Sequence, residues 1–196
     1  QYNCPFTITK VLKDKNTWFI GLGSALAFLA VMSYIASAIP AMLAIGYAYT
    51  QAAAIFAVGG IMGIVGSFIF CIIDQKIGTK KAFVAYFVFI IIGFVALLGM
   101  PKGLTFCWIS GVVIFAAQGA LCNLLPSYVA SKYGRWDYTA GYQVIGTIFE
   151  IGAGIGVMMT GFFAGNIMGL YIFDIVVLVI GLIFMALSSD KFIGKR

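Results

Sequence analysis

The chain has 196 residues, 63% of them hydrophobic and 9% charged, with a mean hydropathy of +1.09, whereas about 25% of the residues of a soluble domain are charged. This excludes an ordinary soluble domain and points to lipid. The formal charge of +6 is spread as isolated Lys and Arg between apolar runs, with no basic helix face and no basic-aromatic interleaving, so a nucleic-acid partner is not expected.

The sequence opens at Gln1 without an initiating Met, which suggests a chain cut from something longer, and residues 1–15 read as a basic connector (Lys10, Lys13, Lys15). The apolar run beginning at Trp18 continues past Ala38, longer than the roughly 7 to 15 residues of a signal-peptide core, so it reads as a retained span. Lipid offers the backbone no hydrogen-bond partners, so each apolar run of about 20 residues must be helical to cross it. Six are expected inside a transmembrane domain covering 16–188: near 16–39, 48–73, 81–99, 104–130, 138–163 and 167–187. Residues 189–196 read as a tail. The fold class is an all-α membrane protein.

In the first span, Ser33, Tyr34 and Ser37 are the polar candidates, and Pro40 is expected to bend or end the helix. The second span repeats Gly59, Gly63, Ser67 and Cys71 at every fourth residue, a small-residue stripe along which another backbone can approach. Between the second and third spans, "CIIDQKIGTKKAF" gathers Asp74, Lys76, Gly78, Lys80 and Lys81 in one turn. The lysines can meet anionic headgroups, and Gly78 permits a tight turn. Lys102 in "GMPKGL" reads as solvated. The fourth span carries Ser110, Gln118, Asn123 and Pro126. Gln118 and Tyr34 are candidate substrate hydrogen-bond groups, with ordinary interhelical bonds as the alternative.

The fifth span holds Gln143, Thr147, Glu150 and Gly154 at intervals of four, three and four residues, which places them on one helix face. A charge at mid-bilayer costs about 2.5 to 3.5 kcal/mol on insertion scales. Glu150 is therefore expected to face a cavity, a partner or a proton. A protonated Glu bonded to a neighbouring helix is the alternative. "GAGIG", Gly152 to Gly156, lacks dinucleotide spacing and a preceding strand and reads as close helix packing. Asp174 lies nearer the outer end of the last span, where snorkelling or pairing is easier, and a structural or interface role is expected.

Cys4, Cys71, Cys107 and Cys122 are far apart, and the chain has no His, so neither a metal site nor a disulfide framework is expected. With no carboxylate pair at metal spacing and no Ser or Cys beside a base, no enzyme and no cofactor are expected. Eleven of the twelve Lys and Arg fall on one side of the six-span topology and only Lys102 on the other, which puts both termini in the cytoplasm.

"DQKIGTKK", Asp74 to Lys81, resembles the second-copy Asp-x-x-Gly-Arg-Lys/Arg signature of the major facilitator superfamily. With Gly78 on the signature glycine, Asp74 is displaced by one residue and Gln75 takes the acid's place. Thr79 replaces the first basic residue, leaving Lys80 and Lys81 as the basic pair. "TITKVLKDKNTWFIGLGS" is similar to that superfamily's lead into its seventh helix, and "LLPSYVASKYGRWDYTAGYQ" to its tenth-to-eleventh turn. The resemblance implies the C-terminal six-helix half of a twelve-helix secondary transporter in the plasma membrane, built of two inverted three-helix repeats. It further implies a partner N-terminal six-helix half outside this chain and movement of a small solute by alternating access. Its pathway would include Glu150, Gln143, Thr147, Gln118 and Tyr34, with Glu150 the candidate for proton coupling. Asp74, Gly78, Lys80 and Lys81 would form a conformational gate whose partners lie mostly in the other half. Some organic-anion carriers of this superfamily use a basic residue in the second or fifth span of this half. Here the second has none and the fifth has Glu150, against an anion site built from this half alone. The alternative reading is a non-transporting six-helix membrane protein or channel subunit that homo-oligomerises.

Overall fold

The computed structural model describes residues 7–193, apart from the side chains of Arg135 and Trp136. Cys4, Lys195 and Arg196 lie outside the described residues. A short helix α1 (Ile8–Lys13) leads into six helices long and apolar enough to cross a membrane. These are α2 (Lys15–Ala44), α3 (Tyr49–Ile77), α4 (Thr79–Leu97), α5 (Leu104–Gly134), α6 (Asp137–Phe162) and α7 (Ile167–Leu187).

The helix ends show what stops a helix here. Asp14 caps α2 by accepting the Asn16 amide at 3.0 Å, supplying one of the acceptors that a helix start lacks. Pro40 stands inside α2, on its exposed side near the end, and the helix continues to Ala44; a proline there forfeits one backbone bond without stopping the last turn. The charges of "DQKI" leave lipid but stay helical, so α3 runs to Ile77 and the turn before α4 is reduced to Gly78. Its φ of 86° and ψ of 151° form a backbone state that is essentially reserved for glycine. Gly134, at φ 76° and ψ 177°, breaks α5 from α6 in the same way. Pro126 lies within α5.

α2 is the most enclosed helix, and glycines set how closely the others approach one another. Along α3 and α5, Ile55 meets Gly111, Gly59 meets the Phe115 ring, Gly63 meets Gly119, and Ser67 accepts a hydrogen bond from Asn123. Each contact advances four residues on both helices in the same direction, so α3 and α5 run parallel. Along α2 and α6, Gly21 meets Ile148, Gly152 meets Ala25 and Gly156 meets Leu29, again four residues at a time and parallel. A side chain on Gly66 would strike the Ala116 carbonyl, and one on Gly152 the Ala25 carbonyl. Backbones touch there because nothing larger than hydrogen intervenes. α7 closes the bundle: Gly181 lies against both Gly23 of α2 and the Phe87 ring of α4.

The same topology gathers α1, the Gly78 turn, the Gly134 turn and residues 188–193 at one end. Lys80 there donates to the Ser188 carbonyl at 2.6 Å, and the Ile193 amide donates to the Lys132 carbonyl at 2.9 Å. At the opposite end, Tyr47 donates to the Met100 carbonyl at 2.9 Å, beside Lys102.

Candidate functional site

α6 turns its polar stripe outward. Gln143, Thr147 and Glu150 are exposed and line one hollow with Tyr142, Gly146 and Ile151. The Thr147 hydroxyl donates to the Gln143 carbonyl at 2.6 Å, which seats its methyl and oxygen without interrupting the helix. Gly154, one turn on, is exposed with open space around it. The Tyr138 and Tyr142 rings stack 5.2 Å apart at one edge of the hollow.

Gln118 belongs to a second hollow, between α3 and α5, lined by Gly60, Ser67, Phe115, Cys122 and Asn123. Small residues on α3 create it. Glu150, Thr147 and Gln143 thus line one hollow on α6, and Gln118 and Asn123 line another at the α3–α5 seam.

Tyr34 is elsewhere. It is 2% exposed and enclosed by Phe56, Phe94 and Phe115, with ring centroids at 6.1, 6.2 and 5.9 Å. Phe115 both lines the second hollow and covers Tyr34, so the tyrosine stands one ring behind the polar face. Gly111 leaves room for its hydroxyl.

Asp74 accepts a hydrogen bond from Ser127 of α5 at 2.5 Å, and its carbonyl accepts the Gly78 amide at 2.9 Å. Lys80 reaches the C-terminal end of α7 through Ser188, where a cation meets the negative pole of a helix. Ser188 in turn shares a 2.7 Å hydrogen bond with Tyr128. Lys81 is exposed. Asp74, Gly78 and Lys80 therefore already join α3, α4, α5 and α7 within this chain.

Two arrangements have partners that the sequence does not identify. The first is an ion pair between Lys132 Nζ and Asp14 Oδ2 at 2.9 Å, with Lys132 1% and Asp14 26% exposed. Burial pushes the Asp14 carboxyl up, but the Lys132 ammonium and the Asn16 amide outweigh it and hold the acid below the usual aspartate range. Next to it, Thr17 and Tyr133 share a 2.8 Å hydrogen bond, and Asn16 accepts the Ser189 amide at 3.0 Å. The available signal was Asp14 itself, a lone acid among lysines just ahead of an apolar run. The second is the environment of Asp174, which is fully buried and accepts the Ser33 hydroxyl at 2.7 Å. It pairs and does not snorkel. A polar residue every fourth position in "SYIAS" on α2 was the clue.

Neither protein-family models nor curated proteins give a match to this chain.

Proposed function

We propose that the chain is one six-helix half of a secondary transporter of the major facilitator type, moving a small solute by rocking against a second six-helix half. The observation that carries this reading is the outward-facing set of Gln143, Thr147 and Glu150 in one hollow of a bundle that exposes many large apolar side chains. An acid facing acyl chains at that depth would cost about 2.5 to 3.5 kcal/mol. Water, solute and a second helical body covering the α3–α6 side remove that penalty. Glu150 is the group that would take up or release the coupling proton, with Gln143, Thr147 and Gln118 as hydrogen-bond partners for solute. Tyr34, behind Phe115, would act on the pathway only through that ring.

The two-repeat architecture has support in the helix contacts. Exchanging α2 with α5, α3 with α6 and α4 with α7 turns the parallel α3–α5 seam into the parallel α6–α2 seam. The same exchange turns the contact of Gly93 with Val113 and Ile114 into that of Gly181 with Gly23. The end that gathers Lys10, Lys13, Lys80, Lys81 and Lys132 is the cytoplasmic one under the positive-inside rule, in the plasma membrane. The gate reading of Asp74, Gly78, Lys80 and Lys81 draws support from their links to Ser127 and Ser188, which a rocking motion would load.

Substituted-cysteine labelling tests the carrying observation. In a background with its native cysteines replaced, a membrane-impermeant maleimide should label Thr147→Cys in intact membranes and leave Ile172→Cys, on the exposed apolar side of α7, unlabelled. Equal protection of both positions would place Thr147 in lipid and end the transport reading.

A further inference from the structure

The seam between α2 and α7 holds a polar track that the transport reading does not use. Asp174, Ser33 and Tyr171 are 0% exposed, and Ser37 is 5% exposed. Ser33 donates to Asp174 Oδ2 at 2.7 Å, and the Ser37 hydroxyl lies 3.3 Å from that of Tyr171. Because the helices are antiparallel, the pairs climb together: Ser33 with Asp174, then Ser37 with Tyr171 one turn on. One turn further, Ala41 and Met168 both line an open hollow at the Lys102 end, with Ile45, Met100, Pro101 and Asn166. The mouth of that hollow therefore opens one helical turn beyond Ser37 and Tyr171, on the side away from the acid.

The acid's second oxygen, Oδ1, is buried and has no hydrogen-bond partner among the described residues. An ionised carboxylate there would have one donor for its two oxygens and no cation to balance it. Among the described residues, no positive charge faces it from the segments packed around it. α2 from Leu22 to Ala44 contributes only Tyr34 as a titratable group, α4 from Phe87 to Leu97 contributes none, and α5 from Leu104 to Leu121 only Cys107. On α7 the neighbour is Tyr171; Glu150 of α6 is exposed at its own hollow, and Lys102 is exposed at the bundle end. A bare carboxylate in such a site is far costlier than a neutral acid.

We propose that Asp174 is a proton-binding site, loaded from water in the Met100–Asn166 hollow through Ser37 and Tyr171. The proton arrives from hydronium, an O–H bond forms on the carboxylate, water is left behind, and the negative charge is removed; no other reactant is needed. The loaded acid keeps the Ser33 hydrogen bond on its carbonyl oxygen and holds α2 against α7 without an unbalanced charge. The site is independent of Glu150, which lies at a different hollow.

Infrared spectroscopy of the full chain in lipid tests it. Near neutral pH the wild-type protein should show a protonated-carboxyl carbonyl band that Asp174→Asn lacks and that Ser33→Ala moves, the second variant serving if the first does not fold. Transfer to D2O should shift this band, and Tyr171→Phe should slow that shift severalfold. A band unaffected by both Asp174→Asn and Ser33→Ala, or no such band, would mean an ionised Asp174 and overturn the site. A band that Asp174→Asn removes but that stays fixed in D2O would overturn the access route.

Discussion

Lys132 and Asp14 form an asymmetric pair: the ammonium is 1% exposed and the carboxylate 26%. Removing either partner therefore leaves a different problem. In Lys132→Met the apolar stem is kept and Asp14 can hydrate, so a loss of about 1 to 2 kcal/mol is expected, below the roughly 3 to 5 kcal/mol for breaking a fully buried pair. In Asp14→Asn the ammonium stays buried without a counter-ion, and the loss should approach that larger range. Thermal unfolding in detergent should rank Asp14→Asn as the less stable variant, with the double variant recovering part of the difference.

The same pair sets an acid limit. The folded-state acidity of Asp14 is held below its ordinary value, so its contribution is complete above the unfolded value of about 3.9 and fades as pH falls through the folded value. Melting temperatures from about pH 6 downwards should drop more steeply for the wild type than for Asp14→Asn, which has no carboxylate to protonate. Parallel curves would remove Asp14 from the acid response.

Gly152 and Gly154 should differ sharply although two residues apart. A side chain at Gly152 meets the Ala25 carbonyl, whereas at Gly154 there is open space. Gly152→Ala should lower stability by about 1 to 3 kcal/mol through forced separation of α2 and α6, and Gly154→Ala should raise it by about 0.5 to 1 kcal/mol through helix propensity. Thermal unfolding of both variants reads the contrast.

Gly78→Ala isolates backbone strain, because no atom stands where the new methyl would go. The φ of 86° with ψ of 151° should make this substitution cost about 1 to 3 kcal/mol. An unchanged melting temperature would show that the α3–α4 turn relaxes into another geometry.

Under the transporter reading, the chain reconstituted alone takes up no solute, and Glu150→Gln in the assembled transporter abolishes uptake driven by a pH gradient while insertion is normal. Saturable uptake by the isolated chain contradicts the first expectation. Undiminished pH-driven uptake in the variant removes Glu150 from coupling.

The six spans were legible because uninterrupted apolar length is a direct consequence of the backbone's need for hydrogen bonds in lipid. The helix ends were less so. Asp74 to Lys76 looked like a turn since charge leaves lipid, yet charge does not unwind a helix, and only Gly78 does so. The shared face of Gln143, Thr147 and Glu150 followed from helical spacing alone. Tyr34 shows the limit of that approach: periodicity assigns a face, but Phe115 of another helix decides whether that face is open. Lys132 with Asp14, and Ser33 with Asp174, join residues more than a hundred positions apart; Asp14 and the Ser33–Ser37 spacing mark one partner of each pair, but one sequence read along its length does not say which distant residue is the other.

The four-residue cadence shared by α3 and α5 works like the teeth of a rack. A single residue inserted between Gly59 and Gly66 would rotate everything after it by about 100° and carry Gly66 away from the Ala116 carbonyl, bringing a bulky neighbour onto it. Lengthening of these helices is therefore confined to their solvent ends, and a change of register in one would have to be matched tooth for tooth in the other.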